Sequence, residues 1–391
     1  MIYKENNVEY YSSENAGRNT VVSIRMPVNK KVYRKIVPNL KAGSEYEICM
    51  SGINNFKSTG FFGCKKIKTA QKQTEKALIV INHDVETEAI ELINEWITKV
   101  ESNNSHLKLK THNLQPGATA ETLKLYLDNE YNTSNLRHVV FIGYDIPSLT
   151  TKISNVDTKL LGLYSSLSEV ERGDWYNEDQ TSASEVTIAV IKPQDITIST
   201  YLHRLINFYD GVLVYPQNVL LADAMKASEK TIVRSDFENL GLEIDMVTGF
   251  ENEVKLSEAI RWQDEYSSKL LENEYGLLFI GAHGARQFHE PCGYECINND
   301  FINNTEPKVK FTIAISCNIG HVFTENSPML SYIFGQYSVS LSGLASEVLY
   351  FDNGNSARRI MYALKEREMS IGEVSRIFGF LVVGDPFLTL N

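Results

Sequence analysis

The chain has 391 residues, a formal net charge of −11 and five cysteines, enough length for more than one unit with its own core. Hydrophobic residues make up 43% and charged residues 22%, the balance of a soluble globular protein. The acidic surplus, with no basic run interleaved with aromatics, argues against a nucleic-acid surface. No window reaches the roughly 18 uninterrupted apolar residues of a membrane span. The N-terminal run Met1-Ile2-Tyr3-Lys4-Glu5 lacks the apolar stretch of a secretory signal. A cytoplasmic protein is therefore expected, or a secreted one if a leader has been removed.

Residues 1–72 read as a small N-terminal β domain, sandwich-like, with strands expected at Val21–Met26, Lys31–Val37 and Glu45–Met50. The turn Pro38–Gly43 leading into Tyr46 resembles the tyrosine corner of a fibronectin type III domain. Cys49 and Cys64 read either as a pair or as two small buried hydrophobes. The polar stretch Lys65–Glu75 reads as a linker.

From Lys76 the pattern alternates between strand and helix, giving a first α/β subdomain over 73–215. Its strands are expected at Ala77–Asn82, Leu107–Thr111, His138–Gly143 and Glu185–Ile191. Its helices are expected at Glu86–Val100, Ala118–Glu130 and Ile196–Asp210, while 144–184 is irregular and holds Asp157, Glu171, Asp174, Glu178 and Asp179. A β-α-β-α-β run implies a parallel sheet with right-handed crossovers.

A second subdomain covers 216–391, with strands at Asn218–Asp223 and Leu242–Val247 and helices at Glu229–Leu240 and Val254–Leu271. Two continuous apolar runs follow, the signature of strands buried on both faces. Leu277-Leu278-Phe279-Ile280 leads into Gly281-Ala282-His283-Gly284, and Phe311-Thr312-Ile313-Ala314-Ile315 leads into Ser316-Cys317-Asn318-Ile319-Gly320. Ser338–Ser342 reads as a further strand, Ser356–Arg367 and Ile371–Phe378 as helices, and Leu381–Leu390 closes the chain. Ligands collect outside the carboxyl ends of strands in open α/β sheets, so His283 and Cys317 are expected to face one crevice. A thiol and an imidazole together are the parts of a nucleophile and its base. Cys292-Gly293-Tyr294-Glu295-Cys296 has the spacing of half a zinc site and lacks the other half unless His289 joins it, so no metal is assigned.

The strand ending in Gly281-Ala282-His283-Gly284, the strand ending in Cys317-Asn318-Ile319-Gly320 and the terminal Gly384-Asp385-Pro386-Phe387-Leu388 resemble the gingipain family of caspase-like (clan CD) cysteine peptidases. That resemblance runs from about Lys76 to Asn391. It implies a caspase-like (caspase–hemoglobinase) α/β fold: mostly parallel sheets flanked by helices in two subdomains. It also implies Cys317 as nucleophile, His283 as general base or acid, and the amides of Gly284 and Cys317 as the oxyanion hole. Gly281 and Ile315 would line the pocket for the residue before the cleaved bond, with an acid from the loop before Glu185, among Asp174, Glu178 and Asp179. Glu347 and Arg286 would sit at its rim, and a charged or polar side chain would be preferred there. Two departures stand out. Ala189-Val190-Ile191 replaces the family's Gly-Arg-(Ile/Val) turn, and Leu344–Phe351 offers only Tyr350 and Phe351 as aromatics.

The expected function is thus a cysteine endopeptidase acting on a protein or peptide substrate. It needs no cofactor, although a structural calcium is allowed for. A latent state would be enforced by the N-terminal domain, by the loop Pro291–Glu306, or by a regulatory protein or ligand. His289 and His321 read as loop residues, Asp385 as a tie for the C-terminal turn, and Asp223 as structural or a cation contact. Two rivals are an inert caspase-like scaffold and a nucleotide-binding α/β domain. Against the latter, no Gly-rich phosphate loop follows Ile81 or Leu221.

Overall fold

The computed structural model describes residues 2–5, 8–12, 20–24, 45–54, 57–68 and 74–390, the last without 154–155, 166–183, 225–236, 239, 251–253 and 348–354. The chain divides into two compact units, Met1–Gln73 and Thr74–Asn391.

In the first unit, β1 (Ile2–Glu5), β2 (Val8–Ser12) and β3 (Thr20–Ile24) form an antiparallel sheet in that order. β4 (Glu45–Asn54) and β5 (Lys57–Lys68) form an antiparallel ribbon in which Cys49 lies level with Cys64. The expected linker from Lys65 is instead strand as far as Lys68. Lys66 and Lys68 lie opposite Glu47 and Glu45 in the register. The strand expected at Lys31–Val37 falls outside the described residues.

The second unit is built on one sheet. Its first strands are β6 (Glu75–Ile81), β7 (Leu107–Asn113) and β8 (Leu136–Ile142). A hairpin of β9 (Leu149–Ile153) and β10 (Val156–Leu160) then precedes β11 (Thr187–Ile191). Next come β12 (Asn218–Asp223), β13 (Glu243–Thr248) and β14 (Tyr275–Gly281). Three two-residue strands follow, β15 (Gly284–Ala285), β16 (Phe288–His289) and β17 (Ile297–Asn298). The last are β18 (Val309–Ile315), β19 (Ser342–Ala345) and β20 (Leu381–Gly384). The large sheet has ten strands in the order β13-β12-β14-β18-β19-β20-β11-β8-β6-β7, so strands from both predicted subdomains share it.

Every neighbouring pair in that sheet is parallel except β19 and β20. The single antiparallel seam divides the sheet into two parallel blocks that run in opposite directions. Carboxyl ends of β14, β18 and β19 therefore share an edge with the amino ends of β20 and β11. This is a mostly parallel central sheet flanked by helices, as the alternating pattern implied.

The helices follow local rules. Thr87–Asn103 buries Ala89, Ile93, Trp96 and Val100, a three-to-four spacing that gives one apolar stripe. Ile371–Phe378 starts in a capping box between Ser370 and Glu373 and stops at left-handed Gly379. Pro328–Phe334 and Asn299–Thr305, missed by periodicity, are only seven residues each. The helix expected over Glu229–Leu240 falls largely outside the described residues.

Two further expectations change. The stretch 144–184 contains the β9–β10 hairpin and a 3-10 turn at Gly162–Ser165. β19 begins at Ser342 rather than Ser338. Ser338 donates through Oγ to the Tyr332 carbonyl and accepts there from Ser340 N at 3.3 Å, a local pairing that competes with the ladder.

Candidate functional site

β14 and β18 are adjacent, and both are buried along their whole length. Their register sets Gly281 opposite Ile315, and Ala282 N donates to Ile315 O at 3.3 Å just beyond. His283 and Cys317 each lie two residues past that matched pair. Neighbouring strands are roughly 4.8 Å apart, so the two reactive side chains leave the sheet on one edge from adjacent strands. His283 is exposed and Cys317 half-buried, its thiol outside any disulfide.

The turn after the thiol is tight. Asn318 has φ 56, the left-handed region that Asn enters more readily than most side chains. Gly320 N then donates to Ser346 O at 2.8 Å, tying this turn to the end of β19. A Cβ on Gly320 would stand 3.0 Å from the carbonyl oxygens of Ala345 and Ser346, so the close approach needs glycine.

Beyond His283 the chain folds into a small sheet, β15-β16-β17. Glu290 N donates to His283 O at 2.9 Å. The facing pair Gly284–His289 is thereby of the kind that does not exchange hydrogen bonds, which turns the Gly284 N–H away from β16. This direction suits a donor to a developing oxyanion. Cys292 and Cys296 form a disulfide in the following loop, so the half zinc site is a closed pair of sulfurs.

His289 is not a loop residue. It occupies the central strand β16, is 0% exposed, and its Nδ1 lies 2.9 Å from Ser316 Oγ. Burial lowers its pKa to about 3, so the ring is neutral. His321 is also buried, and its Nδ1 meets Thr324 Oγ1 at 2.9 Å. Burial first, then the charge of Arg286, lowers its pKa to about 4. The His289 environment was not legible from periodicity, because a two-residue strand has no period to read.

The remaining predicted residues are placed as follows. Gly281 and Ile315 lie inside the sheet, their carbonyls accepting from Ala224 N at 2.7 Å and Ala282 N at 3.3 Å. Glu347 follows β19 on the thiol edge and is buried at 7% exposure. Its carboxylate accepts from Leu161 N at 2.9 Å and Gly162 N at 2.5 Å, and so holds the turn after β10 against the site. Burial raises its pKa to about 7 despite those two donors. Arg286 reaches Thr158 Oγ1 at 3.5 Å, at the same hairpin. Asp174, Glu178 and Asp179 lie outside the described residues, as does the side chain of Asp223. Asp385 is fully buried and accepts from Trp96 Nε1 at 2.8 Å, Tyr209 OH at 2.9 Å and Phe387 N at 2.8 Å. It ties the C-terminal turn.

At the opposite edge, the carboxyl ends of β6, β8 and β11, side chains link neighbouring turns. Asp84 accepts from Tyr144 N at 3.1 Å and Asp145 N at 2.6 Å, and Lys192 donates to Tyr144 O at 2.5 Å.

No family model matches this chain, and no curated protein matches it. A solved structure described as "Structure of Protease" is similar over 81% of this chain and 78% of its own, with a TM-score of 0.57 and 10% sequence identity. At that identity the likeness is one of fold: this chain has a protease-like α/β fold.

Proposed function

We propose that the protein is a cysteine endopeptidase of the caspase-like clan, related to the gingipain family, with Cys317 as nucleophile and His283 as its acid–base partner. The observation that carries this reading is the β14–β18 register, which sets both residues equally far beyond one matched pair. The likeness in fold to a solved protease supports it.

In this reading His283 takes the Cys317 thiol proton and the sulfur adds to the carbonyl carbon of the scissile peptide bond, whose π pair moves onto the oxygen. The amides of Gly284 and Cys317 donate to the oxyanion as it forms, from backbone that need not reorganise. His283 gives a proton to the departing amine, whose C–N bond breaks to leave a thioester on Cys317. Water, deprotonated by His283, adds to the thioester; the C–S bond breaks, and acid product and thiol are released. Glu347 would position the turn at Leu161–Gly162 rather than contact substrate, since both carboxylate oxygens are engaged there. The pocket acid would come from Asp174, Glu178 or Asp179. Access would be governed by a regulatory partner or by the stretch Pro291–Glu306, which is not the loop expected from the sequence but carries the Cys292–Cys296 disulfide, β17 and the Asn299–Thr305 helix.

A peptide-library digest of the full chain tests the reading. Cleavage is expected, with a bias for one charged or polar side chain before the cut, and Cys317→Ala and His283→Ala should each lose at least about a hundredfold in rate. Equal cleavage by Cys317→Ala would refute it. A thiol-directed peptide probe that leaves Cys317 unlabelled would favour an inert scaffold instead.

A further inference from the structure

Sulfur, imidazole and the two candidate amide donors belong to two separate turns. One is His283–Gly284 after β14, and the other is Ser316–Asn318 after β18. Some contact must set the distance between them. We propose that His289 and Ser316 are a positioning pair, whose hydrogen bond fixes the turn carrying His283 and Gly284 against the turn carrying Cys317. The proposal deepens the peptidase reading and rests on it.

The geometry is direct. His289 Nδ1 and Ser316 Oγ are 2.9 Å apart, both residues are buried, and 27 positions separate them in sequence. Ser316 is the peptide neighbour of Cys317, so a shift of its side chain moves the nucleophile. His289 is level with Gly284 on one side and Ile297 on the other, which fixes its backbone in the middle of the small sheet. Gly284 itself lies on Ser316: a Cβ there would fall 3.0 Å from Ser316 Cβ and 3.1 Å from Phe288 O. The two turns thus touch at Gly284–Ser316 and are bonded at His289–Ser316.

Packing alone does not account for a histidine here. Its ring sits near Tyr332, with centroids 6.3 Å apart. Its Nε2 is buried with no hydrogen-bond partner among the described residues. An unmatched buried polar atom costs roughly 1–3 kcal/mol. What the ring supplies in return is its other nitrogen, held on Ser316. Burial keeps the ring neutral, so the bond does not depend on a charge that titrates near neutral pH. The pair is not a second catalytic dyad, since Ser316 is only 2% exposed and cannot reach a substrate.

The test follows alkylation of Cys317 by iodoacetamide near neutral pH in the full-length protein, resolved from the other cysteines by peptide mass spectrometry. His283→Ala should slow the reaction. Ser316→Ala and His289→Leu should each slow it by about tenfold, the cost of a sub-ångström misplacement. The double variant should be no slower than the slower single, because the two side chains act as one unit. His289→Asn, which can keep a hydrogen bond to Ser316, should return the rate to within about threefold of the wild type. If His289→Leu does not fold, as judged by circular dichroism, Ser316→Ala decides alone. A wild-type rate in Ser316→Ala with His283→Ala slowed overturns the pair and leaves the peptidase reading standing. Multiplying losses in the double variant, or no rescue by His289→Asn, likewise overturns it. An unchanged rate in His283→Ala sinks the peptidase reading itself.

Discussion

Asp385 shows what one buried carboxylate does in this fold. Three donors from three parts of the chain converge on it: Trp96, Tyr209 and the Phe387 amide. The Asp385 amide in turn donates to Tyr201 OH at 3.0 Å, and that hydroxyl donates to the Leu341 carbonyl. The Gly384-Asp385-Pro386 run is therefore a knot between helices Thr87–Asn103 and Ile198–Tyr209 and the end of β20, not a reacting group. Asp385→Ala would strand the three donors in a dry interior. A loss of about 3 kcal/mol or more is expected, read as a lower urea midpoint with an unchanged slope.

Elements differ in how openly the sequence declares them. β14 and β18 are legible because continuous apolar runs bounded by glycine suit strands covered on both faces, and the site's chief residues lie at their ends. β15 and β16 are two residues each, shorter than any period, so the hairpin that carries Gly284 and His289 was invisible. Glu347 appeared as a rim residue because a carboxylate near a site is usually wet; only tertiary contact with the Leu161–Gly162 backbone shows where it points. The seam is equally hidden, since strand direction in a sheet is not written in either partner alone. β19 offers a test of how tightly its face is packed. A Cβ on Gly343 would lie 1.9 Å from Met329 Cε and 2.8 Å from the Thr312 carbonyl oxygen. The methionine can swing aside, but the carbonyl belongs to the neighbouring strand. Gly343→Ala should therefore destabilise by about 1–3 kcal/mol, measured by denaturant unfolding.

At the scale of the molecule, two sets of buried groups pull stability in opposite directions with pH. Burial raises Glu347 from 4.5 to about 7 and Asp385 from 3.8 to about 6. The folded chain thus keeps protons that the unfolded chain has released, and this contribution to stability falls as pH climbs through that range. His289 and His321, lowered from 6.5 to about 3 and about 4, do the reverse. The unfolded chain takes up protons first, so their contribution is present above about 6.5 and drains away on acidification. Glu347→Gln removes one member of the first set. Its melting temperature should rise more steeply with pH than the wild type's between about 4.5 and about 7, measured by calorimetry. A parallel pair of curves would show that Glu347 does not hold its proton in the fold.

Glu185 N donates to Ser165 O at 3.1 Å and Ser184 N to Arg376 O at 2.8 Å, so the chain leaves and re-enters the framework at nearly one point. Asp174, Glu178 and Asp179 all belong to the stretch enclosed between those clasps. If the pocket acid of the proposed peptidase comes from that stretch, exchanging it would change the preferred side chain before the cut while β14 and β18 stay as they are.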